Sequence, residues 1–135
     1  MLRRVRAFGV DDATFIVAAQ EDLAAVVADP ETWAHWWPDL VALSTEDRGL
    51  KGARWTVGGA VSGRMEIWLE PFGDGVILHY LLWVDGVGRR QERALQGRVR
   101  RWKRQVHRLK DELEAGREPG RPRQPPVKEI APGAE

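Results

Sequence analysis

The sequence contains no cysteine, and this absence removes several kinds of chemistry from consideration. Disulfide bonds, thiolate metal sites and a cysteine nucleophile are all excluded. The basic residues 1–10 lack the long apolar core of a signal peptide, and no later run approaches the ~20 apolar residues of a membrane-spanning helix. The expectation is therefore a cytoplasmic protein with no stable membrane insertion.

Sequence patterns typical of catalysis and of phosphate binding are also missing. There is no glycine-rich phosphate loop, no nucleophile elbow and no internal repeat. The three histidines, His35, His79 and His107, fall on different predicted elements, so they are not expected to converge on a metal ion. Neither a metal nor another cofactor is expected.

Charge is distributed unevenly along a chain of 135 residues whose length suits one domain. Residues 1–88 carry a net charge of −6, and residues 89–135 carry +7. A basic element can attract nucleic acid or an anionic membrane, and it can equally attract the acidic body of its own chain. Because no nucleic-acid motif and no interleaved stacking aromatic residues accompany the basic residues, nucleic acid is not an expected partner.

Hydrophobic periodicity predicts one domain over residues 12–115, preceded by an arm and followed by a tail. The arm comprises residues 1–11, and the tail, residues 116–135, is rich in proline, glycine and charge and is expected to be disordered. The predicted strands are residues 12–19, 40–45, 53–57, 64–70 and 76–84, and the predicted helices are residues 20–28, 30–38 and 89–115.

Residues 64–84 alternate apolar and polar side chains and are interrupted once, at residues 72–75, which predicts a β-hairpin. Alternation assigns one set of side chains to the inner face of the sheet: Met65, Ile67, Leu69, Val76, Leu78, Tyr80, Leu82 and Val84. The outward set contains five side chains that would form an interface: Trp68, Ile77, His79, Leu81 and Trp83.

That outward set is unusually apolar for the solvent face of an antiparallel sheet. An exposed apolar patch of this kind typically marks an interface, which favours a homodimer. The alternative is that the N-terminal arm, with Val5, Phe8 and Val10, folds back over the same face. The sequence leaves both explanations open.

The third predicted helix carries an apolar stripe spaced by three and four residues. Its members are Leu95, Val99, Trp102, Val106, Leu109 and Leu113. The preceding strands favour packing of this stripe on the sheet rather than in a coiled coil. Gly97 interrupts the helix, and it indicates a kink or a close approach to a ligand.

Three short motifs carry a resemblance to a known superfamily. They are Ala-Asp-Pro-Glu-Thr-Trp at residues 28–33, Trp-Trp-Pro at residues 36–38, and Leu-Glu-Pro-Phe-Gly-Asp-Gly at residues 69–75, followed by the long helix. In this order they resemble the START-like helix-grip (SRPBCC) superfamily, and within it the polyketide cyclase/dehydrase and lipid-transport family. The resemblance implies an α+β fold in which a curved antiparallel sheet wraps a long C-terminal helix. Members usually have seven strands, so five strands indicate a shortened member with a reduced cavity.

The same resemblance implies a hydrophobic cavity between the sheet and the long helix, and so a small hydrophobic or aromatic ligand resembling a lipid or a polyketide. The side chains expected to line it are Trp37, Trp55, Val57, Met65, Ile67, Leu69, Leu78, Tyr80, Leu82, Val99, Trp102 and Val106. One alternative is a polyketide cyclase or aromatase that holds its substrate in a reactive conformation, assisted by Tyr80 or His35. The other is a non-catalytic interaction module that uses the outward apolar face.

Overall fold

A computed structural model describes residues 8–86 and 89–115 of the chain. These ranges form an α+β domain with a five-stranded antiparallel sheet and a long C-terminal helix, as the sequence predicts. The elements in chain order are β1 (Phe8–Ile16), α1 (Gln20–Ala28), α2 (Pro30–Trp36), β2 (Leu40–Asp47), β3 (Gly52–Gly59), β4 (Gly63–Phe72), β5 (Gly75–Val84) and α3 (Arg89–Glu114). A single 3-10 turn, Gly49–Lys51, joins β2 to β3.

The strand order in the sheet is β1-β5-β4-β3-β2. The last four strands form a meander, and β1 pairs antiparallel with β5 so that the first and last strands of the chain are neighbours. The helices lie on one side of this sheet, where α1 packs on β3 and β4 and α3 packs on β1. The sheet therefore has an inner face, covered by helices, and an outer face that no described element covers.

A two-residue turn closes the β4–β5 hairpin. Phe72 pairs with Gly75, and Gly73 at the turn has φ of +59°, a left-handed conformation that glycine adopts without strain. The turn is two residues shorter than the predicted break, but Pro71 still pairs with Val76. Because that register is the predicted one, the predicted inward side chains of both strands are buried.

The first strand begins earlier than the sequence pattern indicates. β1 runs from Phe8, which pairs with Val84, to Ile16, so residues 8–11 belong to the edge of the sheet and not to a separate arm. Val10 is buried on the inner side, so this part of the predicted arm does not lie across the outer face. The predicted start was late because two polar residues, Asp11 and Asp12, interrupt the apolar run. Val5 and the rest of residues 1–7 lie outside the described residues, as does the predicted tail.

The buried face of α3 differs from the predicted stripe at one position. Leu95, Trp102 and Val106 are buried as predicted, but Val99 is 37% exposed, and Arg98 is buried instead. The Arg98 side chain extends to Asp39, the residue before β2, and so occupies the packed face of this turn, while Val99 lies at its exposed edge. Val99 is therefore wrongly predicted as an inward residue.

Candidate functional site

Aromatic rings fill the space between the inner face of the sheet and α3. Trp102 of α3 stacks on Tyr80 of β5 with ring centroids 4.2 Å apart, and Trp37 stacks on Tyr80 at 5.8 Å. Trp36 meets Trp102 edge-on at 5.3 Å. Trp33 extends the cluster towards β3, with centroid distances of 4.9 Å to Trp37 and 5.3 Å to the Trp55 ring. These six rings occupy part of the volume that the superfamily resemblance assigns to a ligand.

The side chains predicted to line a ligand cavity come together as one packed core. Eleven of the twelve are buried: Trp37, Trp55, Val57, Met65, Ile67, Leu69, Leu78, Tyr80, Leu82, Trp102 and Val106. Val99 lies apart from them at the surface of α3. A Cβ added at Gly97 would meet nothing within 4 Å, so this glycine is not required by close packing. The role of the eleven buried side chains in binding a ligand stays a prediction.

The two residues proposed to assist catalysis lie in different environments. Tyr80 is 1% exposed, and its hydroxyl donates to Met65 Sδ at 3.4 Å and is hydrogen-bonded by the Trp37 side chain. Burial raises the pKa of Tyr80 above its usual value, so the phenol stays neutral at physiological pH. His35 is exposed on α2, where its backbone carbonyl accepts a hydrogen bond from Gln105 Nε2 at 3.1 Å. The structure thus places Tyr80 in the packed core and His35 at the surface.

A carboxylate on the inner face anchors α3 to β1. Asp12 Oδ2 accepts hydrogen bonds from Trp102 Nε1 at 2.9 Å and from Thr14 Oγ1 at 3.1 Å, and Oδ1 is ion-paired with Lys103. Burial by itself raises the pKa of Asp12, but the hydrogen bonds from Lys103 and Trp102, with the charge of Lys103, outweigh it and hold the pKa below 3.8. Sequence periodicity did not identify this residue, because its partners lie 90 positions away on α3.

A second acidic residue of the body binds the N-terminal half of α3. Arg98 Nη2 donates to Asp39 Oδ2 at 2.6 Å, and Arg101 lies 4.0 Å from the other carboxylate oxygen. Although desolvation opposes it, the hydrogen bond and charge of Arg98 hold the pKa of Asp39 below 3.8. These contacts agree with the expectation that basic residues of the long helix are attracted to the acidic body of the same chain.

The outer face of the sheet carries aromatic side chains that remain partly exposed. Trp68 on β4 and Trp83 on β5 are 39% and 36% exposed. The Trp68 ring stacks on His79 at 4.3 Å, and His79 Nε2 lies 2.9 Å from Glu70 Oε1. Arg64 lies over the Trp83 ring at 5.5 Å. The five predicted interface side chains therefore do point outward, and Ile77, His79 and Leu81 are half-buried among them.

Ion pairs occupy the part of this face nearer to β2. Glu66 Oε2 lies 3.2 Å from Arg54 Nε and 3.3 Å from Arg48 Nη1, and Arg54 is also 3.7 Å from Glu46. We call the part of the outer face around Phe15, Trp68, Phe72 and Trp83 the apolar half and the part around the Glu66 ion pairs the charged half; Val41 and Leu43 are further exposed apolar side chains on β2. Charge pairs of this kind are common on exposed sheet faces and do not by themselves indicate catalysis.

A pocket of about 330 Å³ lies between the helices α1 and α2 and the inner side of the β2–β3 edge. We call it the edge pocket. Trp33 and Trp55, both members of the aromatic cluster, line it, and Asp29 and Asp47 lie at its wall. Of these four residues, only Trp55 was predicted from the sequence to contact a ligand. The position of the pocket could not be read from the sequence pattern, because its lining residues come from α1, α2, β2 and β3, which are separate in the chain.

Residues 8–86 and 89–115 contain neither a metal-binding cluster nor a membrane-spanning helix. No group of three or more histidine or acidic side chains in these ranges is arranged to hold a metal ion. No helix in the same part of the chain is both long enough and apolar enough to cross a membrane.

Comparison with known proteins identifies a related fold. No protein-family model matches the sequence, and no curated protein matches it. Among solved structures, the chain is similar to the Aha1 dimer from Colwellia psychrerythraea, determined in solution, with a TM-score of 0.58 and 15% identity. The match covers 82% of this chain and 99% of that one. This likeness supports a helix-grip-type fold, and membership of the START-like superfamily stays a prediction.

Proposed function

We propose that this chain is a non-catalytic interaction module that associates with a second copy of itself through the outer face of its sheet. The observation that carries the proposal is the apolar half of that face. Phe15, Trp68, Phe72 and Trp83 are each at least 36% exposed, although they sit on the central and edge strands of a well-formed sheet. A contiguous apolar surface of this kind is typical of an interface.

The size of the face suits a dimer. Five strands spaced ~4.8 Å apart, each rising ~3.3 Å per residue, give a face of roughly 600 Å². Two copies in contact would bury roughly 1,200 Å², which lies at the lower end of stable protein interfaces. The aromatic side chains on it belong to the residue types that contribute most binding energy at interfaces.

The arrangement of charge on β4 favours a two-fold symmetric contact. Arg64 and Glu70 both point outward, near opposite ends of the strand. A two-fold axis that lies in the interface plane, perpendicular to β4 and through its middle, would place Arg64 of each copy close to Glu70 of the other. Such self-complementarity is what an isologous interface requires. The dimeric state of the Aha1 structure, which has a related fold, also supports the proposal.

The test is the oligomeric state measured by light scattering after size exclusion, over a range of concentrations. We expect the unmodified chain to be dimeric at high concentration and Trp83→Arg to be monomeric, because a buried unpaired charge is strongly unfavourable in an apolar contact. Phe72→Lys, at the exposed end of the hairpin, is a second variant that leaves the core untouched.

The matched control is Val99→Arg on α3. Val99 and Trp83 have nearly equal exposure, 37% and 36%, but Val99 lies on the helix side of the molecule. This control should dimerise like the unmodified chain. A protein that stays monomeric at high concentration, or a Trp83→Arg protein that is folded and still dimeric, would contradict the proposal.

Binding of a small hydrophobic or aromatic ligand is a second candidate function. The observation in its favour is the edge pocket, whose wall includes Trp33 and Trp55 and therefore reaches the aromatic cluster. Native mass spectrometry of protein purified without denaturation tests it. A small-molecule adduct would support ligand binding, and an apo mass under conditions that preserve known complexes would count against it.

A further inference from the structure

The edge pocket has the dimensions of a small-molecule site. Its volume of about 330 Å³ falls within the range of about 300–1,000 Å³ that is typical of ligand pockets. Six of the thirteen residues lining it are glycine or alanine, so the space exists because the surrounding side chains are small. Gly52 in particular cannot be replaced by a larger residue, since an added Cβ would clash with the Ile67 carbonyl oxygen.

Two indole rings give the pocket an aromatic wall. Trp33 and Trp55 pack edge-to-face with centroids 5.3 Å apart, and Trp33 is only half-buried. The Trp33 ring is held in place because its Nε1 donates to the Leu40 carbonyl oxygen at 3.1 Å. A fixed, partly open indole offers its π surface both to apolar groups and to cations.

The polar part of the pocket is acidic. Asp29 and Asp47 are both exposed, and none of the residues that line the pocket is basic. Each carboxylate uses Oδ1 to accept a backbone hydrogen bond, from Glu31 N at 2.9 Å and from Gly49 N at 2.8 Å respectively. The second oxygen of each carboxylate has no hydrogen-bond or ion-pair partner among the described residues, so it can pair with a ligand.

We propose that the edge pocket binds a small apolar molecule that carries an ammonium group. The hydrophobic part would pack against Trp33 and Trp55, and the ammonium group would lie between Asp29 and Asp47. A cation is favoured both by the carboxylates and by the face of an indole, whereas an anion would be repelled by both. The site lies on the helix side of the sheet, so the inference is independent of self-association through the outer face.

Three probes of similar shape and different charge test the proposal: 2-phenylethylammonium, 2-phenylethanol and phenylacetate. Affinities are measured by calorimetry, and the site by NMR shifts of the Trp33 and Trp55 indole N–H signals. We expect the ammonium compound to bind about fivefold more tightly than the alcohol, and more tightly still than phenylacetate. The Trp33 and Trp55 signals should shift, and the Trp68 and Trp83 signals should not.

Two sets of variants separate the contribution of the carboxylate charges to binding from the contribution of the pocket volume. The double variant Asp29→Asn with Asp47→Asn removes both charges but retains the Oδ1 acceptors, so the backbone caps persist. It should bind the ammonium compound and the alcohol equally. Ala42→Leu fills the pocket and should abolish binding of both. The control Asp22→Asn with Asp74→Asn makes the same change in net charge at exposed positions outside the pocket and should retain the preference.

The proposal is overturned if none of the three probes binds, or if binding does not shift the Trp33 and Trp55 signals. It is also overturned if phenylacetate binds as tightly as the ammonium compound, or if the Asp29/Asp47 variant retains the preference for the cation. If Ala42→Leu fails to fold, the asparagine variant still decides the outcome, because it changes no packing.

Discussion

The two faces of the sheet are built from the same strands and both carry tryptophan, yet they differ in what those side chains do. On the inner side, Trp55 of β3 and Trp102 of α3, which packs against that face, are at most 7% exposed and belong to one continuous aromatic cluster. On the outer face, Trp68 and Trp83 remain 39% and 36% exposed, and their neighbours are charged side chains or histidine. Residue type alone therefore does not decide whether an aromatic residue stabilises the monomer or remains available to a partner.

The difference arises from the layer of helices on one side of the sheet. The inner face is covered by α1, α2 and α3, and its polar groups are matched to specific partners on α3, such as the indole of Trp102 against Asp12. The outer face has no such cover among the described residues, so its polar groups pair with one another across neighbouring strands. Apolar area that is buried on the inner face stabilises the fold of the monomer. Apolar area that stays exposed on the outer face is available for association with a partner.

The largest expected effect on stability comes from Trp102→Ala on the inner side of the sheet, and Trp83→Ala on the outer face is its comparison. Trp102→Ala removes the ring stacked on Tyr80 and the donor to Asp12, and should lower the free energy of unfolding by about 3–5 kcal/mol. Trp83→Ala should cost the monomer at most about 2 kcal/mol, because the ring is already partly in water. Urea unfolding, followed by circular dichroism at a concentration where the protein is monomeric, measures both.

Equal losses of stability in these two variants would contradict the distinction between the faces. A larger loss for Trp83→Ala in dilute monomer would show that the outer face is part of the folding core. The m-value should be the same in both variants, because a changed slope would indicate a change in the unfolded ensemble or in cooperativity.

The sequence predicted which side chains lie on each face of the sheet more accurately than it predicted the sites that those side chains form. Alternation in β4 and β5 was sufficient to place Leu78 and Trp83 on opposite sides of the sheet. Side chains alternate between the faces of a strand, so one correct pairing in a hairpin fixes the face of every other residue. It could not identify Asp12 or the burial of Arg98, since each depends on a partner far away in the chain. The edge pocket was missed for a similar reason: its small lining residues come from several separate elements.

An intermediate effect on stability is expected at acid pH, where the carboxylates that bind α3 become protonated. The pKa values of Asp12 and Asp39 lie below 3.8 in the folded state, so their ionised forms stabilise the fold above that pH. This stability should be lost as the pH falls below 3.8 through the folded-state values. Asp12→Asn should cost about 1–2 kcal/mol at neutral pH and should flatten the decline below pH 3.8.

Thermal unfolding of the unmodified chain and of Asp12→Asn, measured between neutral pH and the acid limit, checks this. Asp111→Asn, at an exposed position of α3, is the control and should follow the curve of the unmodified chain. An acid-sensitivity that is identical in Asp12→Asn would mean that this anchor makes no contribution to the pH dependence.

The smallest effect should come from Glu66, which is the outer-face counterpart of Asp12. The Glu66 side chain is 14% exposed and that of Asp12 is 11% exposed. Glu66 is paired with two cations, and Asp12 is likewise contacted by several donors. The partners differ, however: the Arg54 side chain is 50% exposed and recovers its hydration when Glu66 is neutralised, whereas the buried indole of Trp102 depends on Asp12. Glu66→Gln should therefore cost the monomer no more than about 1 kcal/mol. A cost as large as that of Asp12→Asn would mean that the charged half of the outer face is as structurally important as the inner anchor, and that only its apolar half is free for a partner.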